Sequence, residues 1–290
     1  MSDPVRPTAS RLVALLVGLM ILGGCALVPA DSRLAALPAT IADGIVASPM
    51  PSAAASGESQ VAGIRLRPKP RKGAFRMDLY RRGDHVRQYT GSWCVGASMQ
   101  MMINMIESGR PNRSRRTQRD LYDLARDVSP WVERRPGAST YGWAGGLTEL
   151  GHGPYSELSA PGKQEALRIA ARQMRYTRKP VGLLVWSGRH AWVMSGFRAT
   201  ADPAYTDKFE VTHVYIEDPW AGRTSPGWGR GLAPHSLVRV SRLSGFTRWS
   251  SHHRPEYGRD GHYVIVAPLI EDLGLGQGLA PVAGSLAPAA

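Results

Sequence analysis

Only two of the 290 residues are cysteine, at positions 25 and 94. So few exclude a disulfide-built scaffold and leave room for one bridge at most. Lysine is scarce too. Five lysines stand against thirty-one arginines, which carry nearly all of the formal net charge of +13. Arginine-rich codon usage produces such a bias; a basic face for anionic lipid, cell-wall polymer or nucleic acid is the sharper reading. There is no helix-length arginine stripe interleaved with stacking aromatics, so a nucleic-acid partner is not expected. No glycine loop has phosphate-cradle spacing, and no carboxylate cluster has the spacing of a calcium site. His252 and His253 are adjacent and would point to opposite faces of a strand, which disfavours a metal pair. No internal repeat is found.

What is present begins at the N-terminus. Arg6 and Arg11 precede the apolar run "LVALLVGLMILGG", residues 12–24. A charged flank followed by an apolar run of this length is the pattern of an export signal. The run closes on "LGGC", Leu22 to Cys25, which resembles the lipobox of bacterial lipoproteins. The resemblance implies a signal peptide over 1–25, a lipid on Cys25 and a membrane anchor through that lipid. An uncleaved anchor and an ordinary cleaved signal are the alternatives. All three place the rest of the chain outside the cytoplasm. There, a lipidated Cys25 leaves Cys94 without an intramolecular partner. Cys94 is then either an inert buried residue or a thiol kept for chemistry.

Residues 26–60 are rich in Ala, Pro, Ser and Gly and read as a tether. As a random coil, about 35 residues have an end-to-end distance of roughly 30–35 Å. Residues 272–290 read as a tail. Between them, 61–271 forms one domain, and the hydrophobic content of 43% is enough for a packed core. Its first half reads as helical. Cys94 to Ser108 is an apolar run with methionines at helical spacing, stopped by Gly109. Thr117 to Asp120 resembles a capping box before "LYDLARDV". "YGWAGGLTEL" reads as a short segment loosened by glycine. Lys163 to Arg175 places Ala166, Leu167, Ala170, Ala171 and Met174 on one face. The second half reads as strands: 180–186, then a short "SGR" turn, 190–197, 209–220 and 263–269. Helices followed by antiparallel strands indicate an α+β fold.

The chemistry-bearing residues fall at the joins of these elements. Cys94 opens a helix, where backbone N–H groups and the macrodipole favour an anion. A nucleophilic thiol needs an imidazole partner. Among the eight histidines, His190 is the best placed, opening a strand directly after a tight turn. Asp218 ends the next strand, where it would lie beside His190 and fix its tautomer; Glu217 is the rival for that role. Asp218 before Pro219 is also a turn former. Gln88, six residues before Cys94, is placed to donate to an oxyanion together with the Cys94 N–H. Trp143, Trp186, Trp192 and Trp220 read as core or cleft wall.

Gln88, then Cys94 at a helix start, then "HAWVMSGF", then "DPW" at a strand end resembles the order of papain-like cysteine peptidases. It is most similar to the bacterial branch that includes bacteriocin-leader (double-glycine) peptidases. The resemblance implies a papain-like fold, with a helical part carrying the cysteine and an antiparallel sheet carrying His and Asp. It implies Gln88 as oxyanion donor, Cys94 as nucleophile, His190 as general base and Asp218 as orienter, with no cofactor and no metal. Plant and lysosomal members have Asn where Asp218 stands, and they carry disulfides. The separation of His190 from Asp218 requires residues 201–208 to be a hairpin insertion, and Trp93 before the nucleophile is not the usual papain residue.

The expectation is therefore an exported, membrane-anchored cysteine peptidase, a monomer, acting on a peptide or peptidoglycan-type substrate. One alternative is a cell-wall amidase or endopeptidase, or a transglutaminase-like acyl transferase. The other is a papain-like binding module whose thiol does no chemistry.

Overall fold

The computed structural model describes residues 68–130, 136–250 and 259–270. The signal run, Cys25, the tether, the His252–His253 pair and the tail lie outside the described residues. Among the described residues, no helix is long and apolar enough to cross a membrane.

The fold is α+β. A short strand β1 (Phe75–Asp78) leads to three helices, α1 (Cys94–Ile106), α2 (Arg115–Asp127) and α3 (Thr140–Glu149). Then come β2 (Tyr155–Ala160), α4 (Lys163–Thr177), β3 (Val181–Val185), β4 (His190–Ala199) and β5 (Val211–Glu217). The chain continues through a small hairpin, β6 (Thr224–Ser225) and β7 (Gly229–Arg230), to β8 (Ser236–Arg239) and β9 (Tyr263–Pro268).

Seven strands form one antiparallel sheet in the order β2-β9-β3-β4-β5-β8. β1 joins it by pairing with the second half of β4, from Gly196 to Ala199, while β3 pairs with the first half. Gly196 permits this approach, because a Cβ there would meet the Met77 carbonyl at 2.5 Å. Residues 200–210 connect β4 to its antiparallel neighbour β5, as the spacing of His190 and Asp218 required.

The two faces of the sheet bury different partners. One core gathers Met99, Met101, Met102 and Leu147 from α1 and α3 against Ala191, Val193 and Val266. The other gathers Leu167, Ala170 and Met174 of α4 against Leu183, Met194, Ile216 and Ile265. The alternation of Ala191 and Val193 with Trp192 and Met194 follows from the two-residue period of a strand. α1 is buried on nearly every side, from Val95 through Met102, so its methionines are core.

Three expectations are corrected. α2 begins earlier than the Thr117 box, because Ser114 caps it by accepting from the N–H groups of Arg116 and Thr117. The glycine-containing segment 140–149 is a full helix. Its glycines are contact points: a Cβ on Gly142 would collide with the Ala125 carbonyl of α2. The first half is not wholly helical, since β1 and β2 lie within it.

Candidate active site

Cys94 is the first residue of α1, after Trp93. No side chain caps this helix start, and no acidic residue occupies its first turn. The leading N–H groups are thus left to face whatever charge sits at the sulfur. The thiol is free and partly exposed.

His190 opens β4 and lies almost wholly buried. Its Nε2 donates to Asp218 Oδ1 at 2.8 Å, and the Cys94 side chain lies near enough to favour the charged ring. With Nε2 committed to Asp218, Nδ1 is the nitrogen left for the thiol. Burial works against a charged ring, but the Asp218 and Cys94 side chains outweigh it and raise the His190 pKa to about 9. A helix start and two strand ends therefore bring together Cys94, His190 and Asp218, with His190 hydrogen-bonded to Asp218 and acted on by the Cys94 side chain.

Asp218 sits just beyond β5, which Pro219 terminates. Its Oδ1 also accepts from the Trp220 N–H at 2.7 Å, and its Oδ2 accepts from the Leu232 N–H at 2.8 Å. The Trp220 contact is the local turn that Asp favours two residues on. Turn former and His190 partner are the same carboxylate. Glu217, the rival, is turned away. It accepts from Ser195 Oγ and from the His235 ring and N–H. Burial pushes its carboxyl up, against those bonds.

Gln88 is buried, and its main-chain N–H donates to the Pro219 carbonyl at 3.0 Å. His85 Nε2 donates to the Asp218 carbonyl at 3.0 Å, so residues 85–88 are sewn to the end of β5. Gln118 of α2 grips both neighbours of Gln88, accepting from Tyr89 N–H at 2.8 Å and donating to the Arg87 carbonyl at 3.1 Å. The Gln88 amide donates to the Thr90 carbonyl at 2.6 Å, which leaves one amide hydrogen, and its Oε1 has no hydrogen-bond partner.

Aromatic rings enclose the histidine. The Trp186 indole stacks on the imidazole, with centroids 4.2 Å apart and planes 23° apart. Trp220 meets it edge-on at 6.4 Å. Trp143 and Trp192 are core residues, and Trp186 belongs to the same core cluster as Trp192. The "SGR" turn is a tight left-handed one: Trp186 and Ser187 adopt φ of 55° and 52°. Side chains pay for that conformation, about 1–2 kcal/mol per residue. The Leu232 and Trp220 N–H groups, Gln118 and the Trp186 stack were not foreseen as site features. Of these, only Trp220 carried a sequence signal, its two-residue spacing from Asp218.

No protein-family model matches the chain, and no curated protein matches it either.

Proposed function

We propose that this protein is a cysteine hydrolase of the papain-like kind, acting on peptide or amide bonds and held outside the cytoplasm by a lipid on Cys25. The observation that carries the reading is the grouping of Cys94, at an uncapped helix start, with the hydrogen-bonded His190–Asp218 pair.

The chemistry follows from which atoms are committed. Asp218 holds the Nε2 proton, so Nδ1 receives the thiol proton, giving a thiolate beside an imidazolium. The thiolate attacks the carbonyl carbon. The oxygen takes the negative charge and meets the Cys94 N–H and the remaining amide hydrogen of Gln88. As the C–N bond breaks, the Nδ1 proton passes to the leaving amine. Nδ1 then takes a proton from water, whose oxygen attacks the thioester. The acid departs and the thiol is restored. In this reading Asp218 orients the ring, and Glu217, held by Ser195 and His235, is not proposed for that role.

The test is a cleavage screen of the full chain against a peptide library and muropeptides, with Cys94→Ala as the blank. Thiol-dependent cleavage is the expected result. Products from muropeptides alone would select the cell-wall form of the activity. Cleavage unchanged in Cys94→Ala, or none at all, would overturn the proposal.

A further inference from the structure

Two consecutive non-glycine residues with left-handed backbone stand four and three residues before the candidate base. Trp186 and Ser187 have φ of 55° and 52°, and Gly188 follows at 89°. A bulky side chain is a poor choice for that conformation, so its presence needs a reason. One segment holds the turn at three points. The Gly245 carbonyl accepts from the Trp186 N–H at 3.0 Å, and Thr247 Oγ1 accepts from the Ser187 N–H at 2.8 Å. The Trp249 ring packs on Gly188 so closely that a Cβ there would come within 2.4 Å of it. What the turn delivers is an indole face parallel to the His190 imidazole at 4.2 Å. The Trp228 ring, from the β6–β7 hairpin, lies parallel to Trp186 at 6.1 Å and 2°.

An indole face is electron-rich and attracts a cation, most strongly where water is excluded. His190 and Trp186 are both buried, and His190 carries a positive charge in the proposed thiolate–imidazolium pair. We propose that Trp186 is a positioning residue of the active site, whose indole face clamps His190 and favours its charged, thiolate-partnering form. The inference rests on the cysteine-hydrolase reading.

The test compares the full-length protein with Trp186→Phe and Trp186→Leu. His190 is titrated through its ring ¹H–¹⁵N correlations. In parallel, iodoacetamide capture of Cys94 is followed against pH by the mass of the peptide that contains it. Leucine removes the π-face, so the His190 midpoint should fall by about one pH unit, and the pH profile of capture should shift with it. Phenylalanine keeps a face and should restore most of both. If Trp186→Leu does not fold, a fluorinated tryptophan placed at 186 alone keeps the shape while draining the face, and it should lower the midpoint in the same direction.

A midpoint and a capture profile that stay at wild-type values in the leucine or fluorinated protein would overturn the inference while leaving the hydrolase reading intact. A wild-type Cys94 that resists capture until unfolding would overturn both.

Discussion

Asp218 Oδ1 accepts from His190 Nε2 at 2.8 Å while also accepting the Trp220 N–H, and its Oδ2 takes the Leu232 N–H. Three donors converge on one buried carboxylate. It can neither rotate nor be replaced by an amide without setting a donor against a donor.

Asp218→Asn is the first consequence. With its single carbonyl kept toward His190 and Trp220, the amide nitrogen must face the Leu232 N–H. The cost should be about 1–3 kcal/mol, read from the urea midpoint. Turnover of the peptide or muropeptide returned by the screen should fall roughly 10²-fold, because the imidazole loses its orienter. Wild-type turnover in Asp218→Asn would remove Asp218 from the mechanism.

Glu217→Gln should separate the neighbouring carboxylate from the chemistry. Glu217 is occupied by Ser195 and His235, and an amide there would oppose the His235 N–H. Stability should fall by about 1–3 kcal/mol. Capture of Cys94 by iodoacetamide at about pH 6 should stay at the wild-type rate. A large loss of that reactivity without unfolding would assign Glu217 a part in the site.

The split between what could be read from residues and what needed coordinates follows from periodicity. α1, α4, β3, β4 and β5 carry long apolar or alternating patterns because each is buried on one or both sides, and burial is what a pattern records. β2 is an edge strand, "YSELSA", with only its end residues buried, and β1 has four residues with one of them buried; neither pattern is long enough to register. α3 was hidden by Gly142, Gly145 and Gly146, which lower helix propensity but let α2 and Met99 come close. Cys94, His190 and Asp218 were legible because each sits where an element begins or ends. The Leu232 N–H was not, since a main-chain donor has no residue-type signature. The Trp186 stack was equally silent, because it depends on a backbone conformation that tryptophan seldom adopts.

Gln88→Ala should lower turnover by roughly 10²–10³, the usual cost of one oxyanion donor. Folding should be nearly unchanged, because the main-chain bonds from Gln118 and to Pro219 persist. The check is turnover alongside a melting curve. Turnover at the wild-type level would mean that the buried amide serves only Thr90.

Stability should depend on pH in a stated direction. The His190 pKa is raised from 6.5 to about 9, so its contribution taken alone is complete below about 6.5 and is lost as pH climbs through 9. In the proposed ion pair the proton on His190 comes from Cys94, so the pair holds as many protons folded as unfolded up to the free thiol's reference of about 8.5, and the urea midpoint should stay nearly level to there and fall above it. Cys94→Ala removes that source of the proton and should bring the start of the fall down toward pH 6.5. A midpoint that rises over the same range, or a fall that starts at the same pH in Cys94→Ala, would contradict the coupling.

The most direct measurement is the rate at which iodoacetamide modifies Cys94 in the folded protein at about pH 6, where an ordinary cysteine is almost wholly protonated. A thiol sharing its proton with His190 at a helix start should react faster than a free thiol, and His190→Ala should remove most of that advantage. A Cys94 that stays unmodified until the protein is unfolded, or that reacts equally fast without His190, would contradict the account at its centre.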